Sequence, residues 1–301
     1  MNVGTIGAEV PVPVIVVTST TPGAGKTGVA AAIARHMAYQ GTPVRLVRIG
    51  DNEGGNAAAD AEWFGSLDFA PGSAPTPAAP GSVTEPRSDI TLIVEAAGES
   101  CQLPGARHVV VARHGNPGEM PPGIAPAAIV VTDVPAGHPE PTPGEGIPTV
   151  NLREDRTLAG FSLSEARAAL NAEVLVQGDP GDPTSDYLVI SPISSDAGQP
   201  YLRRFESKAV VARFDRTDMH LAAIKAQPNV LILTGGRKPS DYLYDVASAQ
   251  GIPVLLSRTD TENTVIALEG IFDHTRFQGE RKLDRMAELL EGSALYEALG
   301  I

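Results

Sequence analysis

Cysteine is almost missing from this 301-residue chain. Cys101 stands alone, which excludes an intramolecular disulfide and a thiolate metal cluster and fits a reducing cytoplasm. Basic residues are also short, 23 Lys and Arg against 36 Asp and Glu, for a formal charge of −13. A general nucleic-acid or anionic-membrane surface needs clustered cations that release counterions, so any polyanion must be met locally. No apolar run approaches the roughly 20 residues of a membrane span, and the amino-terminal segment lacks the basic-then-apolar layout of a signal peptide. The chain reads as soluble and unprocessed. Its length suits two domains of ordinary size, and its 31 Gly and 26 Pro gather in a few connecting segments that are expected to be irregular.

What is present is an alternation of apolar runs and helix-like stretches. Residues 12–19 form a β-branched run, followed by the Gly-rich "TSTTPGAGKTG" (18–28) and small apolar residues at helical spacing to Gly41. Further strands are expected at 43–50, 89–98, 107–115 and 127–135. Their near-continuous Val and Ile content predicts a parallel sheet covered on both faces. The segment 69–88 is too rich in Pro and Ser for a crossover helix and is expected to be a mobile surface loop. Residues 115–126 are likewise expected to be non-helical. A Gly, Pro and Asp cluster at 177–186 reads as a linker. Beyond it, strands at 187–191, 208–214, 229–236 and 252–257 alternate with helices, the signature of an α/β unit. The amphipathic tail is expected to pack on this second unit or on a partner.

The loop at 18–28 carries the strongest chemistry. A phosphate loop wants Gly, four residues and Gly-Lys-Ser/Thr; Gly25, Lys26 and Thr27 are in place, and Thr20 stands where the leading Gly belongs. Backbone N–H groups of such a turn, with those of the following helix, form a concave anion site. Lys26 would reach the β- and γ-phosphates, and the Thr27 hydroxyl would ligate Mg²⁺. Magnesium also takes carboxylate oxygens. Glu95, at the end of the third expected strand, is a candidate or a strand-end acid facing water. Asp51 and Asp60 follow the second strand, where Asp60 could equally be an acid near a helix start. The six histidines show no ligand spacing, and nothing resembles a Ser-His-Asp arrangement. In the second unit, Asp215, Arg216 and Thr217, and the "LTGG" run at 233–236, sit at strand ends before helices, where open α/β sheets bind ligands, although the first three could instead cap a helix.

Together these motifs resemble a dethiobiotin-synthetase-like P-loop domain joined to a DRTGG domain, as found at the front of some phosphotransacetylases. The likeness covers most of the chain and is strongest at 153–175 and in "DRTDMHLAA", "LILTGG", "GIPVLL", "DTENTV" and "HTRF…RKLDR". The DRTGG signature itself survives only as Asp215-Arg216-Thr217. The resemblance implies a parallel-sheet P-loop NTPase-like domain at 1–176 and a smaller α/β DRTGG domain at 187–301. It implies ATP and Mg²⁺ as cofactors, phosphate binding by Thr20, Thr21, Gly23, Ala24, Gly25, Lys26, Thr27 and Gly28, and metal ligation by Thr27, Asp60 and Glu95. Two departures stand out. Arg48-Ile49 replaces the family's Lys-Pro, and an arginine cannot act as a base. Thr132 replaces an Asn that helps recognise the base.

The leading expectation is a cytoplasmic ATP-binding protein whose nucleotide state sets a regulatory or oligomerising DRTGG domain, in a homodimer or higher homo-oligomer that can engage a protein partner, without nucleic acid or membrane. The alternatives are an ATP-dependent carboxylase or ligase of the synthetase type, a partition-ATPase-like protein, suggested by "GDNEGGNAA" at 50–58, and a scaffold that has lost its ligand.

Overall fold

The computed structural model describes residues 14–50, 56–83, 91–96, 103, 105–139, 146–191, 200–272 and 274–301. Asp51 and Cys101 lie outside them. The chain divides into two compact units, 1–154 with 277–301, and 155–276.

In the first unit, β1 (Val14–Ser19) runs into a turn and then α1 (Lys26–Tyr39). There follow β2 (Val44–Arg48), α2 (Ala57–Gly65), β3 (Thr91–Glu95), β4 (Arg107–Arg113), β5 (Pro126–Val134) and β6 (Thr149–Arg153). The six strands form one sheet in the order β2-β3-β1-β4-β5-β6, and every pairing is parallel. The expected parallel sheet is therefore present, with β6 added at its far edge. β1 and β3 are buried at every position, as their unbroken apolar sequences require.

Over its described part the proline-rich segment is irregular and hydrogen-bonded to the first unit's sheet edge. Ser73 Oγ accepts the amide of Leu46 at 2.9 Å, Ala78 N donates to Arg48 O at 2.8 Å, and Gly50 N donates to Ala78 O at 2.8 Å. These bonds cover β2, an edge strand whose N–H and C=O groups would otherwise be open to another chain. Residues 115–126 are non-helical as expected.

The second unit opens with α3 (Arg156–Ala159), β7 (Phe161–Ser162) and α4 (Leu163–Leu170), the last started by a capping box between Ser162 and Glu165. β8 (Glu173–Val176), β9 (Thr184–Ser185), β10 (Tyr187–Ile190), β11 (Lys208–Arg213), α5 (Thr217–Lys225), β12 (Val230–Thr234), α6 (Asp241–Ala249), β13 (Val254–Leu256) and α7 (Thr261–Glu269) follow. Its main sheet has the order β10-β11-β12-β13-β8, parallel except for β8, which pairs antiparallel with β13. The Gly-Pro segment 177–186 therefore lies inside this unit, and the unit begins some thirty residues before the expected boundary. The four-residue β8 is half exposed and carries little apolar pattern, so its pairing was not visible in the sequence.

The tail is the second departure from the expected domain boundaries. α8 (Glu280–Leu290) and α9 (Ala294–Leu299) belong to the first unit. α8 turns Leu283, Met286 and Leu290, spaced three and four apart, into the protein, and Arg35 of α1 pairs with its Asp284. The ring of His36 stacks on Tyr296 of α9 at 3.7 Å. The sequence of α1 explains why a second cover is needed: residues 28–34 are all buried, so the helix is apolar on every side. Such a helix needs packing on both faces, and the sheet supplies only one.

Truncating Leu283 to alanine should thus destabilise the first unit by about 2–4 kcal/mol. Hydrogen exchange is expected to show lost protection in α1, with residues 155–276 unchanged; loss confined to the second unit would contradict the assignment of the tail.

Candidate functional site

The carboxyl ends of β1, β2 and β3 meet the amino end of α1. Gly25 ends the connecting turn at φ 96°, a left-handed conformation that suits glycine, and caps α1 without any side-chain hydrogen bond. The first-turn N–H groups have no partners within the helix. Gly23 also has a positive φ, 72°, with open space where a side chain would be. Thr20 N is tied to Val111 O at 3.1 Å, and Thr132 Oγ1 donates to Ala24 O at 2.9 Å, so both sides of the turn are held by neighbouring strands. Thr132 is thereby engaged by the loop itself.

Below the turn lies a cluster of buried charge. Glu95 is 0% exposed, and strand register sets it beside Val17 of β1 and Arg48 of β2. Thr27 Oγ1 donates to Glu95 Oε1 at 2.8 Å. Arg48 Nε stands 3.5 Å from Glu95 Oε1 and 3.5 Å from Asp60 Oδ2, and Arg48 Nη1 donates to the carbonyl of Ile49 at 2.5 Å. Asp60 projects from the first turn of α2 and is itself buried. Burial is the chief influence on Glu95 and raises its pKa to about 7; Arg48, Lys26 and the Thr27 hydrogen bond pull it down, while Asp60 pushes it up. Three sequence-expected metal ligands, Thr27, Asp60 and Glu95, are thus brought together, with Lys26 near enough to be felt by Glu95.

The remaining expected residues fall into two groups. Thr20 and Thr21 have buried hydroxyls that lack a hydrogen-bond partner among the described residues, as does Glu95 Oε2. Gly118, from the irregular β4–β5 connection, lies against them: a Cβ there would come within 2.8 Å of Thr20 O and Thr21 Cγ2. That connection forms a wall of the turn in place of a crossover helix. Gly28 is different. A Cβ there would meet Phe277 Cε2 at 2.8 Å, and Phe277 also sits edge-on to Trp63 of α2 at 5.6 Å. Its missing side chain makes room for the tail as well as belonging to the loop motif.

In the second unit the expected strand-end groups are engaged with one another. Arg213 pairs with Asp215 at 2.7 Å and Arg216 with Asp218 at 3.0 Å, both exposed, and Thr217 begins α5. The amides of Gly235 and Gly236 donate to Thr259 O and Ser257 O. A cavity of about 570 Å³ opens elsewhere, lined by Arg167, Asn171, Gln177, Asp182 and Leu255 among others. Among the described residues no group of three or more His, Cys, Asp or Glu could hold a metal, and no helix is long and apolar enough to cross a membrane.

Comparison with known families bears on this second unit. Residues 166–271 form a DRTGG domain. The match falls within the 155–276 unit, so it takes in the second half of α4 and the antiparallel β8. One similar solved structure holds the CBS and DRTGG domains of the regulatory region of Clostridium perfringens pyrophosphatase, complexed with the activator diadenosine tetraphosphate. It shares 20% identity at a TM-score of 0.33, and the match covers 40% of this chain and 61% of that one.

The buried acid gives a pH dependence with a defined sign. Because its folded pKa lies above the ordinary value of 4.5, the folded protein keeps a proton that the unfolded chain releases. The stability this provides is complete below about pH 4.5 and is lost as the pH rises to about 7. Glu95→Gln stays neutral and can still accept from Thr27. Across that pH range urea unfolding should show the wild type losing on the order of 1–3 kcal/mol relative to the variant. Parallel curves would mean that Glu95 is as ionised in the folded chain as in the unfolded one.

Proposed function

We propose that the turn from Thr20 to Gly28 binds the phosphates of ATP, and that its occupancy sets the state of the DRTGG domain. The observation that carries this reading is the buried charge of Arg48, Asp60 and Glu95 at the amino end of α1, beneath the half-buried Lys26 and Thr27. A sheet of Val and Ile has no packing need for three such groups, and burying them is costly unless they act together. The glycine-rich turn above the cluster offers backbone amides, and Lys26 offers an ammonium group, to an anion. Thr20, Thr21, Gly23, Ala24, Gly25 and Gly28 complete the cradle.

The donor set also suits a divalent cation. Thr27 Oγ1, Asp60 and the unpartnered Glu95 Oε2 are hard oxygen ligands of the kind magnesium takes. When bound, Mg²⁺ would supply charge neutralisation at the phosphates. The chain's own groups position: Thr27 is oriented by Glu95, and the amides of the turn are fixed by the bonds to Val111 and from Thr132.

A regulatory role is favoured over a synthetase-type ligase by Arg48. The lysine of those enzymes assists phosphoryl chemistry, whereas this guanidinium is always charged and held beside two carboxylates. ATP can shift the DRTGG domain only if its affinity differs between two arrangements of the protein. Phe277 gives the nucleotide site a route to the chain connection: it touches α1 and α2, and it directly follows Arg276, whose amide is held by Glu165 at 2.8 Å. We place the protein in the cytoplasm as a homo-oligomer that responds to nucleotide and passes the state to a protein partner.

Calorimetry with Mg-ATP should show Lys26→Ala binding at least about tenfold more weakly than wild type, the loss of one charge-assisted contact. Saturating ATP should also alter hydrogen exchange within residues 155–276 in the wild type and not in Lys26→Ala. Equal ATP affinity in both proteins would remove the phosphate-site reading; binding without any change in 155–276 would remove the regulatory one.

A further inference from the structure

The second unit holds a cavity of about 570 Å³ that the phosphate-turn reading does not use. Much of its lining is apolar: Val174 and Leu255, partners in the β8–β13 register, with Ala168, Ala172 and Pro253. α4 supplies polar groups, since Ser164, Arg167 and Ala168 lie at i, i+3 and i+4 and Asn171 caps its carboxyl end, while Ala166 and Leu170 pack in the core. The segment leaving β8 completes the wall and is tied down at both ends. Gly178 has φ 74° and approaches Pro253 so closely that a Cβ would come within 2.7 Å of it, and Asp179 N donates to Gly251 O at 2.9 Å. At the other end Asp182 accepts from Ser164 N at 2.8 Å and from Ser164 Oγ at 2.6 Å, and Leu163 N donates to Pro183 O at 3.0 Å. The acid of the lining is thereby engaged at the start of α4. Arg167, Asn171 and Gln177 have no side-chain hydrogen bond among the described residues.

Small-ligand sites are typically cavities of roughly 300–1,000 Å³, mainly apolar, with a few polar groups that fix orientation. The polar groups here specify a chemistry. A guanidinium matches a phosphate in its fork geometry. A primary amide presents a donor beside an acceptor, the pair that matches the edge of adenine. The apolar lining suits the face of a flat ring. We propose that this cavity binds an adenine mononucleotide, with Arg167 on its phosphate and the amides of Asn171 and Gln177 on the edge of its base. The DRTGG domain then has a ligand of its own, and the inference does not depend on the phosphate-turn reading.

Calorimetry of the full-length protein with AMP tests this, alongside Lys26→Ala, which removes the ammonium group of the turn. AMP should bind wild type and Lys26→Ala with dissociation constants within about threefold of each other. Arg167→Met should bind at least about tenfold more weakly, the loss of one charge-assisted contact. Asn171 has φ 44°, so Asn171→Gly keeps the left-handed backbone while removing the amide, and should weaken AMP about fivefold or more. Circular dichroism checks the fold of each variant. Ribose 5-phosphate on the wild type decides without any substitution: lacking the base, it should bind at least about tenfold more weakly than AMP. AMP binding that is lost in Lys26→Ala and kept in Arg167→Met would belong to the turn, overturning this inference and supporting the phosphate site. Ribose 5-phosphate bound as tightly as AMP overturns the assignment of a nucleotide. No AMP binding in any of these proteins overturns the inference and leaves the phosphate-turn reading standing.

Discussion

Three strand ends and one helix start meet around a buried guanidinium, and the first unit is organised about that meeting. Arg48, Glu95 and the turn after β1 are neighbours because β2, β3 and β1 are adjacent and parallel. Parallel strands in this order bring all their carboxyl ends to one edge, where crevices and ligands belong in open α/β sheets. Removing Arg48 would leave Asp60 and Glu95 without this countercharge in an apolar interior, which is far more costly than losing a surface pair. The cluster therefore ties the sheet's strand order to the chemistry of the turn.

Around this point the fold uses irregular segments for jobs that regular elements do elsewhere. The proline-rich stretch after α2 hydrogen-bonds along the edge of β2, the strand that carries Arg48, and closes that edge. The β4–β5 connection lies on Thr20 and Thr21, with Gly118 permitting the close approach. Neither segment has helical periodicity, yet each is positioned by specific backbone contacts. Proline and glycine here mark defined turns.

The tail links structure to the proposed regulation. The chain leaves the first unit at residue 154 and returns at 277, so the element following the DRTGG domain is the one that covers the helix after the glycine-rich turn. Phe277, the first residue after that return, packs at Gly28, two residues after Lys26. A shift of α1 by even a fraction of an ångström would be felt at this contact, because close-packed interiors transmit displacement. Glycine at 28 thus satisfies a packing need alongside any need of the ligand.

Some of this was legible in sequence because it depends on local physics. Unbroken Val and Ile runs gave the parallel strands, Gly25-Lys26-Thr27 gave the turn at the start of α1, and the alternation beyond residue 187 gave the second α/β unit. The small apolar residues after Lys26 gave a helix, but not the elements that would cover it. Spacing of apolar residues says that α8 has a buried side, and only the folded chain decides what that side meets. The same limit hid β8, too short and too exposed to carry a pattern, and misplaced the domain boundary. Arg48 is the sharpest case: the sequence showed an arginine in place of a lysine, while its role came from two carboxylates 12 and 47 residues away. Sequence by itself determined which segments form strands, helices and turns, since those choices rest on neighbours a few residues apart. Tertiary structure alone decided which charges share one buried point, because that depends on strand order and register across the whole sheet.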